Sequence, residues 1–250
     1  MKKFLKILLA VVVLVPLLAF GWLTYSTEKN LATPAQEALA ALDSDASVQV
    51  DSGDWLIMRP AASETTAGLI LYPGANCDIR GYAPVLREVA AQGTLVVVMS
   101  MPFDFSIFAP DRADDVRTAF PQIKQWVIAG HSMGGVMAAR YAFHHPDDIA
   151  GLILWDSYPA GSNSLAESTL PVWHIHRATP DGMASQKFQD MRHLFPDDSK
   201  WIPIPGGQHM YFGSFDGGGY QEEWAAGIDR AEQQTIVTAT MLEGMARMLR

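Results

Sequence analysis

The chain of 250 residues has a single cysteine, Cys77, so an intrachain disulfide cannot form. C-x-x-C, H-E-x-x-H and Cys/His metal spacings are all absent. Neither a metal nor another cofactor is therefore expected. His144 and His145 stand side by side before Pro146. Adjacent helix positions point apart, so this pair reads as a solvated helix end and not as a ligand pair. Basic residues are scarce: 18 Lys and Arg against 27 Asp and Glu give a net charge of −9. No basic cluster occurs after Lys6, which excludes nucleic acid as a partner. There is no internal repeat and no low-complexity tract. What remains is a globular composition, 49% apolar and 18% charged, long enough for one α/β domain with a proper core.

The N-terminus departs from that average. Lys2, Lys3 and Lys6 lead 17 uncharged residues, Ile7 to Leu23, and Trp22 and Tyr25 stand at the far end. Length, leading positive charge and trailing aromatics fit a single membrane-spanning helix. Ala19-Phe20-Gly21 also offers a small-residue cleavage site, in which case the segment is a signal peptide and the product is secreted. An uncleaved anchor is the expected form, with the lysines cytoplasmic and the rest of the chain on the extracytoplasmic side. The expected organisation is residues 1–25 as anchor or signal, 26–46 as a tether with a short helix at Pro34–Leu42, and 47–250 as the folded domain.

From Val48 onward, apolar runs alternate with helical stretches. Val48–Val50 and Trp55–Met58 read as an edge hairpin around Ser52-Gly53. Ala67–Tyr72, Thr94–Ser100, Gln125–Ala129, Ala150–Trp155, Pro171–His176 and Lys200–Ile204 read as strands, most buried on both faces. Helices are expected at Tyr82–Gln92, Asp111–Phe120, Val136–Phe143, Met183–Phe195 and Glu222–Arg250. This alternation implies an α/β fold with a mostly parallel, doubly wound sheet. Ligands gather at the carboxyl ends of such strands.

Chemistry gathers at one of those ends. Gly130-His131-Ser132-Met133-Gly134 lies between a strand and a helix and matches the G-x-S-x-G nucleophile elbow. A serine hydroxyl needs a base to take its proton and a third group to orient that base. Of the downstream histidines, only His209 sits in a glycine-flanked loop directly after a strand, so it is the expected base. For the acid, Asp181 stands in a Thr-Pro-Asp-Gly turn after the next strand but one. Asp156, at the end of the preceding strand, is its competitor, and Asp181 is the expected choice. The backbone N–H of Met133 is one expected oxyanion donor. The second is expected from the loop after Tyr72, at Ala75, where small residues let the backbone approach a carbonyl. Cys77, in the same loop, is expected to be a buried, idle thiol, and His131 to be packing. Phe103, Phe105, Phe108, Trp155, Tyr158, Tyr211 and Phe212 lie in loops on this edge, either lining an apolar acyl or alcohol pocket or packing loops onto the sheet.

Five stretches carry a family resemblance: Leu71-Tyr-Pro-Gly; Met101-Pro with Asp111-Arg-Ala-Asp; Gly130-His-Ser-Met-Gly-Gly-Val-Met-Ala-Ala-Arg-Tyr; Leu154-Trp-Asp-Ser-Tyr-Pro-Ala; and Gly206-Gly-Gln-His-Met-Tyr-Phe-Gly. Together they resemble the α/β-hydrolase superfamily, in particular small bacterial dienelactone-hydrolase-like members with an N-terminal membrane segment and a serine nucleophile. The resemblance spans roughly Glu37 to the C-terminus. It implies the α/β-hydrolase fold, Ser132 as nucleophile, His209 as base and an acid at the position of Asp181. Relatives tend to carry a Gly-Thr-x-Asp-Gly-like turn where this chain has Ala178-Thr-Pro-Asp-Gly. True dienelactone hydrolases place cysteine at the elbow, so lactone specificity does not carry over.

The expected activity is a carboxylesterase-like serine hydrolase that cleaves an ester, thioester or related acyl bond of a small-molecule or lipid-like substrate. The same residues also serve a peptidase or amidase, or an acyltransferase. A non-catalytic binding protein on the same fold is the remaining alternative.

Overall fold

The computed structural model describes residues 2–61 and 65–250; Met1, the first residue of the expected membrane segment, lies outside them. Helix α1 (Lys2–Asn30) opens the chain, followed by β1 (Ala32–Pro34) and α2 (Gln36–Ala40). The elements that follow are β2 (Val48–Ser52), β3 (Trp55–Pro60), β4 (Ala67–Tyr72), α3 (Ala83–Ala91), β5 (Leu95–Met99), α4 (Ala113–Ala119), β6 (Gln125–His131) and α5 (Met133–His144). The last third holds β7 (Gly151–Trp155), β8 (Val172–Ala178), α6 (Gln186–Met191), β9 (Lys200–Pro205), β10 (Phe215–Gly217) and α7 (Arg230–Met248).

Eight strands form the main sheet in the order β2-β3-β5-β4-β6-β7-β8-β9. The hairpin β2–β3 is antiparallel and joins β5 antiparallel, while the remaining pairings are parallel. The central strands are apolar along their length because helices cover both faces. Leu69, Leu71, Val96, Val98, Val127 and Ile153 point toward α3 and α7. Their neighbours Ile70, Val97, Ile128, Leu152 and Leu154 point toward α4 and α5. Gly244, in α7, lets the helix lie against Trp173: a Cβ there would stand 3.1 Å from its ring.

Several elements differ from the sequence expectation in ways that shape the site. β6 runs on to His131 and β8 to Ala178, each about two residues beyond its expected end. The terminal helix begins at Arg230, not Glu222, with Asp229 capping it through the N–H of Glu232. Residues 222–229 form a loop because Glu222 and Glu223 are drawn to Arg177. The expected helix at 183–195 is helical in two short pieces, α6 and a 3-10 turn at 192–194. In place of a tether after residue 25, α1 continues to Asn30. β1 then pairs at once with β10, with Ala32 opposite Gly217.

Candidate active site

Ser132 occupies a sharp turn between β6 and α5, with φ 54° and ψ −124°, a left-handed conformation that L-residues adopt only under constraint. The constraint comes from its surroundings. A Cβ on Gly134 would stand 2.1 Å from the Tyr72 carbonyl oxygen, and one on Gly130 would stand 2.5 Å from that of Gly134. The turn therefore closes only with glycine at both positions. Behind it, the Ser157 hydroxyl donates to the Ser132 carbonyl at 2.6 Å. The serine is thus held above the carboxyl end of the sheet, at the start of a 12-residue helix.

His209, in the loop after β9, is buried. Its Nδ1 lies 2.5 Å from Asp156 Oδ2. Nδ1 therefore carries the proton, which leaves Nε2 as an acceptor. The expected acid, Asp181, is not the partner. β8 extends through Ala178, and residues 179–183 close into a tight turn in which Thr179 N–H donates to the Met183 carbonyl at 2.9 Å. Asp181 is exposed there and accepts the Thr179 hydroxyl. It acts as a turn-former. Asp156, directly after β7 with φ 48°, takes the place assigned to Asp181. Burial alone would raise its pKa, but the hydrogen bond from His209 and the charge of Arg177 outweigh that and bring it down to about 2.

Arg177 went unnoticed in the sequence. It is 4% exposed. It donates to Asp156 twice, from its backbone N–H at 3.0 Å and from Nε at 2.9 Å. Its guanidinium also meets Glu222, Glu223 and the Tyr220 hydroxyl. Glu222 in turn accepts the backbone N–H groups of His209 and Met210 at 3.0 and 2.9 Å. Tyr220 stacks on the His209 ring at 4.1 Å. The imidazole is therefore fixed from its ring, its backbone and its face. An arginine, the one permanently charged residue in the buried strand Val-Trp-His-Ile-His-Arg-Ala, was the available signal, since a buried charge requires a partner.

His131 does more than pack. Its Nε2 lies 3.1 Å from the His209 carbonyl, and its Nδ1 lies 2.9 Å from the Tyr82 hydroxyl. A carbonyl only accepts, so Nε2 carries the proton. Burial holds the ring neutral, well below the ordinary histidine pKa. Nδ1 then accepts from Tyr82, whose oxygen accepts the Gly74 N–H at 2.9 Å. One chain of hydrogen bonds thus joins the loop after β4, the elbow and the His209 backbone. Ala75 lies in that loop. Neither its N–H nor that of Met133 donates to an acceptor among the described residues. Cys77 is buried, which pushes its thiol up to about 12 and leaves it unreactive.

Two cavities meet at Ser132 and His209. One, about 360 Å³, is lined by Ile107, Met133, Tyr158, Phe188 and Tyr220 among others. The other, about 390 Å³, is lined by Asn30, Ala75, Asn76, Gly219 and Tyr220 among others. A cleft of about 420 Å³ at the amino end of the strands, bordered by Gln49, Arg59 and Thr66, is remote from both residues. Of the aromatics on the active edge, Trp155 and Phe212 are core, stacked 6.0 Å apart, while Tyr158 reaches a cavity. Among the described residues no group of His, Cys, Asp and Glu side chains is arranged to hold a metal ion.

The sheet order, the elbow after β6 and the histidine after β9 define an α/β hydrolase. A profile of the alpha/beta hydrolase family matches residues 68–235, and the chain belongs to that family. Among curated proteins it is similar to a "Probable 1-acylglycerol-3-phosphate O-acyltransferase" of Oryza sativa subsp. japonica, 39% identical over 61 residues. That match spans 24% of this chain and 14% of the rice protein. Among solved structures, a ferulic acid esterase from Streptomyces cinnamoneus superposes with a TM-score of 0.55 at 17% identity, covering 76% of this chain and 68% of its own. A soluble variant of monoglyceride lipase from Saccharomyces cerevisiae, bound to a substrate analog, gives 0.55 at 10% identity, covering 80% and 94%.

Proposed function

We propose that this chain is a membrane-anchored serine hydrolase that cleaves a carboxylic ester or thioester through an acyl-enzyme on Ser132. The observation that carries this reading is the 2.5 Å contact between His209 Nδ1 and Asp156 Oδ2 at a cavity shared with a strained, glycine-locked Ser132. Ser132 Oγ attacks the acyl carbon while His209 Nε2 takes its proton. Asp156 holds the ring in the tautomer that makes this possible. The N–H groups of Met133 and Ala75 receive the developing oxyanion. The bond to the leaving group breaks, and the alcohol or thiol departs with the proton from His209. Water then repeats the sequence and releases the acid.

The fold neighbours named above as an esterase and a lipase support the choice of ester chemistry. The anchor rests on α1, long and apolar enough to cross a bilayer by length and composition. Its apolar residues from Val11 to Leu18 are exposed to the surroundings and uncovered by the domain. The leading lysines put the domain on the extracytoplasmic side.

Fluorophosphonate labelling tests the nucleophile. Wild type should be labelled and Ser132→Ala should not; a Ser132→Ala protein that is still labelled refutes the assignment. A turnover profile over acyl chain length, with amide analogues alongside, distinguishes esterase from amidase.

A further inference from the structure

The turn at residues 103–108 lies beside the end of α1. Phe103 meets Phe20 edge-on with ring centres 5.6 Å apart, and its carbonyl accepts the Thr27 hydroxyl at 3.4 Å. Phe108 packs on Phe103 at 5.9 Å and on Phe105 at 6.1 Å. Ile107 and Phe108 are each 54% exposed although they stand together. Phe103 and Asp104 hold consecutive left-handed φ angles of 54° and 57°, a conformation aspartate tolerates but a bulky side chain such as Phe103 does not favour.

The position of this patch along α1 matters. Phe20 lies within the uncharged run of the helix, and Trp22 and Tyr25 follow it. A ring that touches Phe20 is therefore at the depth of the bilayer's edge, where such aromatics belong. Asn30 lines one of the two cavities that reach Ser132. It stands five residues beyond Tyr25, a rise of about 7.5 Å along a helix. Ile107, from the exposed turn itself, lines the other cavity. Each cavity that reaches the serine thus has a lining residue on α1 or on the turn that packs against it.

We propose that the 103–108 turn is a second bilayer contact beside α1, and that the substrate is a long-chain lipid ester drawn from that bilayer. This rests on the anchoring and hydrolase reading above. An apolar patch continuous with a membrane helix and opening onto the nucleophile fits an acyl chain entering from the lipid side. A water-borne substrate would not call for apolar side chains there.

The experiment uses the full chain reconstituted in phosphatidylcholine vesicles. A nitroxide is attached at Phe108→Cys, and in a control at Phe143→Cys; Cys77 is buried. Phe143 is 43% exposed and stands ten residues past Met133 on α5, about 15 Å from the elbow. The label at 108 should relax with lipid-dissolved oxygen and be shielded from a water-soluble nickel complex, and the label at 143 should show the reverse. In parallel, Phe108→Glu should lower hydrolysis of 1-oleoylglycerol presented in the vesicles by about tenfold, the effect of removing about 1.4 kcal/mol of surface attachment. Its hydrolysis of a soluble acetate ester should be unchanged. If the protein resists alkaline extraction from the vesicles but the label at 108 is as open to nickel as that at 143, the second contact is refuted and the anchor stands. Extraction of the protein at alkaline pH refutes the anchor, and the docking with it. An equal loss on both esters refutes the lipid-entry reading while leaving the hydrolase reading intact.

Discussion

Replacing Asp156 with asparagine removes one negative charge and turns one acceptor oxygen into an NH₂ donor, while the side chains remain nearly isosteric. Two consequences follow from the geometry. Asp156 accepts from three donors, the Arg177 backbone N–H, Arg177 Nε and His209 Nδ1. Asparagine has one acceptor oxygen, and with its NH₂ toward His209 the imidazole must accept at Nδ1 and carry its proton on Nε2, which then cannot serve as a base. In a Ser-His-Asp arrangement this substitution costs about ten-thousand-fold in kcat, or roughly 5 kcal/mol of transition-state stabilisation. The second consequence is structural. Breaking a buried ion pair ordinarily costs about 3–5 kcal/mol because the remaining charge is stranded. Arg177 would not be stranded, because Glu222 and Glu223 still contact it at 3.2 and 2.9 Å. The stability loss should therefore fall below that range, near 2 kcal/mol, so the variant is expected to fold. Asp181→Asn serves as the comparison: its carboxylate is exposed and engages only Thr179, and kcat should change by less than about twofold, as for a surface change. Initial rates on a soluble ester, with urea unfolding of each variant, make the measurement. Near-wild-type turnover in Asp156→Asn, or a large loss in Asp181→Asn, would refute the reasoning.

Other predictions come from the same contacts. Tyr82→Phe removes the hydroxyl shared by Gly74 N–H and His131 Nδ1; it should lower Tm, cost about 1–3 kcal/mol for the polar groups left unpaired, and reduce kcat more than it changes KM. Acid stability should fall early. His131 and His174 are buried and held neutral well below the ordinary value of 6.5, by burial first and by neighbouring histidine charge second. Because their folded pKa values are depressed, the unfolded chain binds more protons below pH 6.5. Stability should then drop by up to about 1.4 kcal/mol per pH unit for each of them, beginning near that pH. His174→Leu should flatten the slope in urea titrations run from pH 7 to 5, and an unchanged slope would count against His174 as a source. Gly134→Ala should abolish fluorophosphonate labelling, since its Cβ would meet the Tyr72 carbonyl oxygen at 2.1 Å; full labelling would contradict the packing.

The elbow was legible because its requirements are local. A buried strand, two glycines and a helix leave few other conformations for Gly-His-Ser-Met-Gly. His209 was legible for a similar reason, as a histidine in a glycine-rich loop at the end of a strand. The acid was not. Thr-Pro-Asp-Gly has strong turn chemistry, and in the structure the turn consumes the carboxylate through Thr179. The deciding fact was strand length: two more residues on β8 carry Arg177 to the end of β7, where it meets Asp156. A strand end is set by its neighbour, here the pairing of Ala178 with Pro205, and local residue preference does not report it. Glu222 was hidden because the helical pattern of the C-terminus began at it, and Tyr220 because it closes a Gly-rich loop with no local sign of a partner. Arg177 draws Glu222 out of that helix, and the His209 ring holds Tyr220. Tyr82 and His131 lie 49 residues apart and meet only once the sheet has formed.

Leu31 is the one residue between α1 and β1, and β1 is hydrogen-bonded to the strand that leads into Gly218, Gly219 and Tyr220. With α1 as the membrane anchor proposed above, a domain joined to it in this way would have almost no rotational freedom about that anchor. It would hold one height and one tilt above the surface. On the lipid-ester reading proposed above, such a catalyst would meet its substrate by lateral diffusion in a plane, and its rate would be set by molecules per unit area instead of per unit volume. Diluting the whole suspension would leave turnover unchanged, whereas diluting substrate within the bilayer would slow it.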